Sequence, residues 1–152
     1  MAIRQQLDDD IKAALLAGDS VRVVTLRGLK SAVLYADVAA GKRNVGGVDD
    51  EEVLAVLAKE AKKRQESADL YVKGGRHELA DRELLEKKII EDYLPKQLSD
   101  DELGKIVDDI IKAQSAEDVS AMGRVINAVK ARVGNTADGA RIASLVRERI
   151  VK

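Results

Sequence analysis

Pro95 is the only proline in the chain, and it falls between two long stretches of helical periodicity. Proline lacks the N–H that an interior helical turn needs, and its ring pushes the preceding residue, here Leu94, away from the helical region. Further on, Ser99 precedes Glu102 in the S-x-x-E pattern that opens a helix. One helical block therefore closes near Tyr93 and another opens at Asp100, which predicts a domain boundary between residues 1–94 and 95–152. No segment on either side alternates apolar and polar residues with the period of two that a half-buried strand requires. The expected fold class is all-α: an N-terminal bundle of long helices followed by a C-terminal three-helix tail domain.

Within the first block, Leu7, Ile11, Ala14 and Leu15 fall on one face of a helix running from Ile3 to Ala17. Gly18-Asp19-Ser20 ends it and caps a second helix that reaches Ala40, with Leu26, Leu29, Val33 and Ala36 on one side. Residues 41–48 contain three glycines and form the most flexible-looking loop of the chain. Asp49 and Glu52 make a second capping pattern that opens a helix to Val72; Gly74-Gly75 closes it, and a fourth helix is expected from Arg76 to Tyr93. The tail should hold helices over Asp100–Ala113, Ala116–Arg132 and Ala137–Val151. Their buried faces are marked by Val107, Ile110 and Ile111 in the first and by Val125, Ile126, Val129 and Val133 in the second.

Composition removes whole classes of chemistry. With three Tyr and no Phe or Trp, the core must be built from Leu, Ile, Val and Ala. Cys is absent, which excludes disulfides, thiolate nucleophiles and thiolate-bound metals. His77, the single histidine, follows Gly74-Gly75-Arg76 at a loop-to-helix junction and reads as a surface or capping residue. No G-x-x-x-x-G-K-[ST] loop and no G-x-S-x-G elbow occurs. No catalytic residue, metal or cofactor is expected. The polar, acidic start and the absence of an apolar run near the roughly 20 residues of a membrane span predict a cytoplasmic protein without a membrane partner.

The formal charge of −1 is unevenly spread. Residues 1–94 hold 16 Lys/Arg and 18 Asp/Glu, residues 95–123 hold 3 and 7, and residues 124–152 hold 7 and 2, a local balance of +5. A basic element on a neutral protein is the pattern of a small phosphate-contacting patch. On a wheel of about 100° per residue with Arg124 at zero, Met122, Val125, Ile126, Val129 and Val133 occupy an arc from about 100° to 200°. Arg124 then points away from the core, flanked by Lys130 and Arg132. In the last helix Arg141 and Arg147 also lie off the apolar arc, whereas Arg149 falls among apolar positions. The candidate RNA-binding residues are Arg124, Lys130, Arg132, Arg141 and Arg147; a secondary set is Arg27, Lys30, Lys62 and Lys63. The bland alternative for both sets is a solvated face. Lys30 reads first as a lysine whose stem lies along apolar neighbours, Asp138 as a cap, and Gly123 as a site of close helix packing.

Several short motifs occur together in a fixed order: Leu26-Arg27-Gly28-Leu29-Lys30-Ser31-Ala32, Lys62-Lys63-Arg64, Tyr93-Leu94-Pro95 with Gln97-Leu98-Ser99, Met122-Gly123-Arg124-Val125, and Ala137-Asp138-Gly139. In that order and spacing the chain resembles the GatB/YqeY family over nearly its whole length. The family comprises small free-standing proteins and the C-terminal part of the B subunit of the glutamyl/aspartyl-tRNA amidotransferase. The resemblance implies a helical bundle joined to a three-helix tail, and a tail similar to the one that contacts the outer corner of tRNA in the larger subunit. It also implies that a carbon–nitrogen ligase activity with glutamine as amide donor belongs to the full subunit, because the residues here resemble only its non-catalytic portion.

Two functions follow as expectations. One is a module for structured RNA, with tRNA and not DNA as the expected ligand, working through shape and phosphates because aromatic stacking residues are nearly absent. The other is an adaptor that binds a protein through its N-terminal helices, with a tail that is merely solubilising.

Overall fold

The computed structural model describes residues 2–150. Among them are seven α-helices and no strand: α1 Ala2–Ala17, α2 Ser20–Ala39, α3 Asp50–Lys73, α4 His77–Glu91, α5 Asp100–Ala113, α6 Met122–Val133 and α7 Gly139–Ile150. Short 3-10 turns stand at Arg43–Val45, Val119–Ala121 and Gly134–Thr136. The helices group into two compact units, one ending at Leu94 and the other beginning at Pro95. Val151 and Lys152, which the sequence assigns to the last helix and the basic tail, lie outside the described residues.

In the first unit Leu7, Leu26, Leu29, Val53, Leu57 and Ile90 are fully buried and form an aliphatic core among α1–α4. The helix starts are set locally. Asp19 accepts from Arg22 N at 3.1 Å and Asp49 from Glu52 N at 2.9 Å, each occupying a backbone donor that the first turn leaves free. Leu15, expected on the buried face of α1, is exposed instead, because the core meets only Leu7, Ile11 and Ala14. The fourth helix is shorter than its pattern at both ends: Arg76 is its cap, and the chain leaves it at Asp92, three residues before Pro95.

The loop after α2 corrects its flexible-looking composition. Gly41, Gly46 and Gly47 all have positive φ, at 68°, 95° and 82°, so the glycines serve a left-handed path. Backbone bonds from Lys42 N to Asp37 O and from Gly47 N to Lys42 O close it. Beneath it, Asp37 is 3% exposed and accepts from Arg4 Nη1 and Nη2 at 2.9 and 2.7 Å. Asp37 also takes Val48 N at 2.9 Å, while Arg4 donates to Val48 O at 3.0 Å. The Arg4 hydrogen bond holds the Asp37 carboxyl below its usual value, against the opposing effect of burial. A Cβ on Gly47 would come within 2.8 Å of Asp37 Oδ1, so that glycine is needed for space as well as for φ.

In the second unit Leu103, Val107, Val125, Val129, Ile142 and Val146 make the core. Ser99 caps α5 by accepting from Glu102 N at 3.1 Å. The middle helix does not begin at Ala116: Asp118 caps the turn Val119–Ala121 through Ser120 N at 3.0 Å, and only then does α6 start. The last helix likewise starts at Gly139, because Ala137 is extended, with φ −148° and ψ 143°.

Candidate functional site

The five basic residues assigned to the tail occupy three kinds of place. Arg141 is drawn into the structure. Its Nε bonds Asp100 Oδ1 at 2.8 Å and its Nη2 donates to Leu98 O at 2.6 Å, which ties the first turn of α7 to the entry of α5. The same entry segment is held by Leu98 N to Thr136 O at 2.8 Å and by Gln97 Nε2 to Asn135 O at 2.9 Å. Arg141 is off the apolar arc, but its guanidinium already has a carboxylate and a carbonyl. Its replacement by Glu is therefore not the neutral change that wheel geometry alone predicts.

Arg124 is exposed on α6, and its Nε donates to Gln114 Oε1 at 3.0 Å, a neutral partner, while the Asp118 carboxylate acts on it through the field alone. Lys130, Arg132 and Arg147 are exposed, and no ion pair is seen for them among the described residues. On α6, Lys130 and Arg132 lie on opposite flanks of Arg124, about 160° apart at 100° per residue. The Lys130 stem reaches α7: a Cβ on Gly139 would meet Lys130 Cε at 3.4 Å. Gly139 thus does let a side chain pack closely, and that side chain is Lys130. Gly123 does not; the space around it is open and it is exposed, because it sits on the solvent side of the first turn of α6. Asp138 accepts from Ala140 N at 3.3 Å, in keeping with a cap.

Arg149 has a place that the wheel could not assign. Its guanidinium lies against buried Gly104 of α5 and pairs with Asp108 Oδ2 at 2.6 Å. The sequence carried a signal for this contact, an arginine among apolar positions together with a glycine on the apolar side of α5, but neither alone names the other.

In the first unit the secondary set is more engaged than a solvated face. Lys30 is half-exposed and pairs with Asp8 at 2.7 Å, so a carboxylate on α1, more than an apolar bed, holds it. Glu60 gathers Lys63 at 3.1 Å and Arg64 at 3.0 Å. The two cations hold its carboxyl below the usual value even though partial burial, the largest influence, works the other way. Lys62 also has an interaction partner, and Arg27 is exposed. His77 is exposed at the first position of α4.

What these features define is an all-α protein, without a strand among its described residues, whose excess positive charge lies in its last two helices. The chain belongs to the YqeY family, described as Yqey-like protein, which it matches over residues 4–150. It is similar to the altered inheritance of mitochondria protein 41, mitochondrial, of Kluyveromyces lactis, at 35% identity over 57% of this chain and 45% of that protein. The proteins of the same name from Lachancea thermotolerans and Vanderwaltozyma polyspora are 31% and 30% identical, each over 58% of this chain and 46% of the relative. The chain thus spans less than half the length of these curated relatives. Their names correct the cytoplasmic expectation: all three are mitochondrial proteins, so a polar, acidic opening segment does not assign a member of this family to the cytoplasm.

Proposed function

We propose that the C-terminal unit binds a structured RNA, with tRNA as the ligand class, through phosphate contacts made by Arg124, Lys130, Arg132 and Arg147. The observation that carries this reading is the exposure of these four cations, none of them in an ion pair among the described residues and only Arg124 with a carboxylate, Asp118, acting on it, in a segment whose charge balance is +5. Arg141 contributes by fixing the α5–α7 junction on which Arg147 stands, not by meeting phosphate. With three Tyr and no Phe or Trp in the chain, shape and phosphate contacts are the available means of recognition, which suits folded RNA better than a base-stacked single strand. Membership of the YqeY family supports the reading through the likeness of the tail to the RNA-contacting part of the amidotransferase subunit.

The proposed role is binding without catalysis. Amidotransfer would need an activated nucleophile and a nucleotide site, and the only imidazole is exposed at a helix start. Glutamate release from glutamine by the purified protein, abolished in His77→Ala, would overturn this part.

Fluorescence anisotropy against total tRNA over a salt series tests the binding. Affinity should fall steeply with salt in the parent. Lys130→Glu, Arg132→Glu and Arg147→Glu together should flatten the logarithmic slope by roughly one unit or slightly less for each phosphate that is no longer neutralised. Identical titrations of parent and triple variant at low salt would show that the basic tail is only a solubilising surface.

A further inference from the structure

Two of the motifs shared with the family, Leu26–Ala32 and Lys62–Arg64, are 30 residues and more apart in sequence and belong to different helices. In the fold they border one groove between α2 and α3, enclosing about 450 Å³. Gly28, Ala32 and Ala36 line one wall at intervals of four residues, with Ser31 and Tyr35 beside them; Val56, Lys59, Glu60 and Lys63 line the other. The RNA reading of the tail leaves this groove without a role.

Three properties say what would fill it. The row Gly28, Ala32 and Ala36 carries nothing larger than a methyl group over eight helical steps, a length of about 12 Å, so a second helix could lie along it for about two turns at close axial distance. Tyr35, one of only three aromatics in the chain, is 81% exposed at the rim and is flanked in sequence by exposed Leu34. A flat, amphipathic ring held out in water at the mouth of an apolar groove is the side chain that most often anchors a protein interface. The opposite rim is positive. Glu60 is already held by Lys63 and Arg64, and the Arg64 guanidinium reaches under Gly28, 3.8 Å from where its Cβ would be. Lys59, one turn from Lys63, is exposed, and no ion pair is seen for it among the described residues. The charged lining is therefore net basic around an apolar floor.

We infer that the α2–α3 groove is the docking site for an amphipathic helix of a partner protein, one with small or aliphatic residues on its buried face and acidic residues four apart along the edge nearest Lys59 and Lys63. A phosphate backbone would satisfy the lysines but would gain nothing from the Ala32, Ala36 and Val56 floor. An acidic helix uses both.

The test is selection of a phage-displayed library of helical peptides of about 18 residues, five turns, on the full-length protein, with Ala32→Trp as the groove-blocked counter-selection. Enriched peptides should carry paired acidic residues beside an apolar stripe. They should bind the parent and lose at least about tenfold in affinity on Lys59→Glu, the scale of one attractive charge interaction turned repulsive. Lys59→Arg should retain binding, and circular dichroism melts should show all variants folded. The Lys130/Arg132/Arg147 tail variant should bind the peptides as the parent does, which separates this groove from the RNA reading. Binders that ignore Ala32→Trp, or groove-dependent binders with no acidic bias, would overturn the inference. So would tRNA affinity that falls on Lys59→Glu while acidic peptides fail to compete, since the groove would then belong to nucleic acid.

Discussion

Gly104 in α5 and Arg149 in α7 occupy the same space: a Cβ at position 104 would stand 2.5 Å from Arg149 Nη2 and 2.8 Å from Cζ. The missing side chain lets a guanidinium lie across a buried part of α5 on its way to Asp108, with its Nε covered and unpartnered. An interior helical glycine normally costs up to about 1 kcal/mol relative to alanine. Here that cost accompanies an ion pair between two helices.

Substitution at this pair should be strongly non-additive. Gly104→Ala gains helix propensity but pushes the guanidinium off Asp108, so its net effect in the parent should stay within about 1 kcal/mol of zero. In an Arg149→Ala background the same change meets open space and should stabilise by about 0.5–1 kcal/mol. A double-mutant cycle by urea unfolding checks this. Equal effects in both backgrounds would mean that Gly104 and Arg149 do not compete.

Removal of the Asp37 carboxylate should be strongly damaging to the first unit. Asp37→Ala strands the Arg4 guanidinium and frees Val48 N, and should cost on the order of 3 kcal/mol. The folded carboxyl is held below its ordinary value. Its contribution is therefore full above the unfolded value, about pH 4, and is lost as pH falls through the folded one. Acid unfolding of the parent should accordingly be steeper below about pH 4 than that of Asp37→Asn, followed by circular dichroism. Parallel acid curves would remove the ion pair from the account of stability.

The parts of this fold that were legible in the sequence are local. Asp19, Asp49 and Ser99 cap helices because each competes for backbone donors within the next three residues, and the aliphatic arcs of α5 and α6 follow from a single period. The polar contacts that join helices span 33 residues for Arg4–Asp37 and 41 for Arg149–Asp108, and they depend on which faces meet after packing. For the same reason a cluster of glycines reads as a loose loop until Asp37 is seen beneath it. The candidate cations were legible as charges, yet nothing local separates Arg141, which has Asp100 and the Leu98 carbonyl, from Arg147, which is exposed.

That difference is measurable. Arg141→Gln should lower the stability of the second unit by about 1–2 kcal/mol, since it removes a charge-assisted bond to Asp100 and weakens the one to a backbone carbonyl. Arg147→Gln should change stability by less than about 0.5 kcal/mol, as surface substitutions usually do. In the tRNA titration the order should invert, with Arg147→Gln altering the salt slope and Arg141→Gln leaving it in place under conditions where the variant is folded. A salt slope that responds only to Arg141 would return that residue to the binding set and remove Arg147.

Limited proteolysis tests whether the two compact units are separate folding units. The loop at 41–48 has glycines and basic residues that trypsin favours, but its backbone is tied at Lys42, Gly47 and Val48, and cleavage requires a segment to open locally. The residues after Glu91 leave helical structure and do not resume it until Asp100. Of these, Lys96 is the one trypsin site, exposed and next to Pro95. The first tryptic cut in the parent should therefore fall at Lys96, giving fragments that end and begin at the junction, and the loop should be cut later. In Asp37→Ala the order should reverse, with early cleavage at Lys42 or Arg43. A fragment of residues 95–152 should keep helical circular dichroism, though at this size a single core leaves it only marginally stable. First cleavage within α5, α6 or α7 of the parent would show that the second unit does not hold its own core.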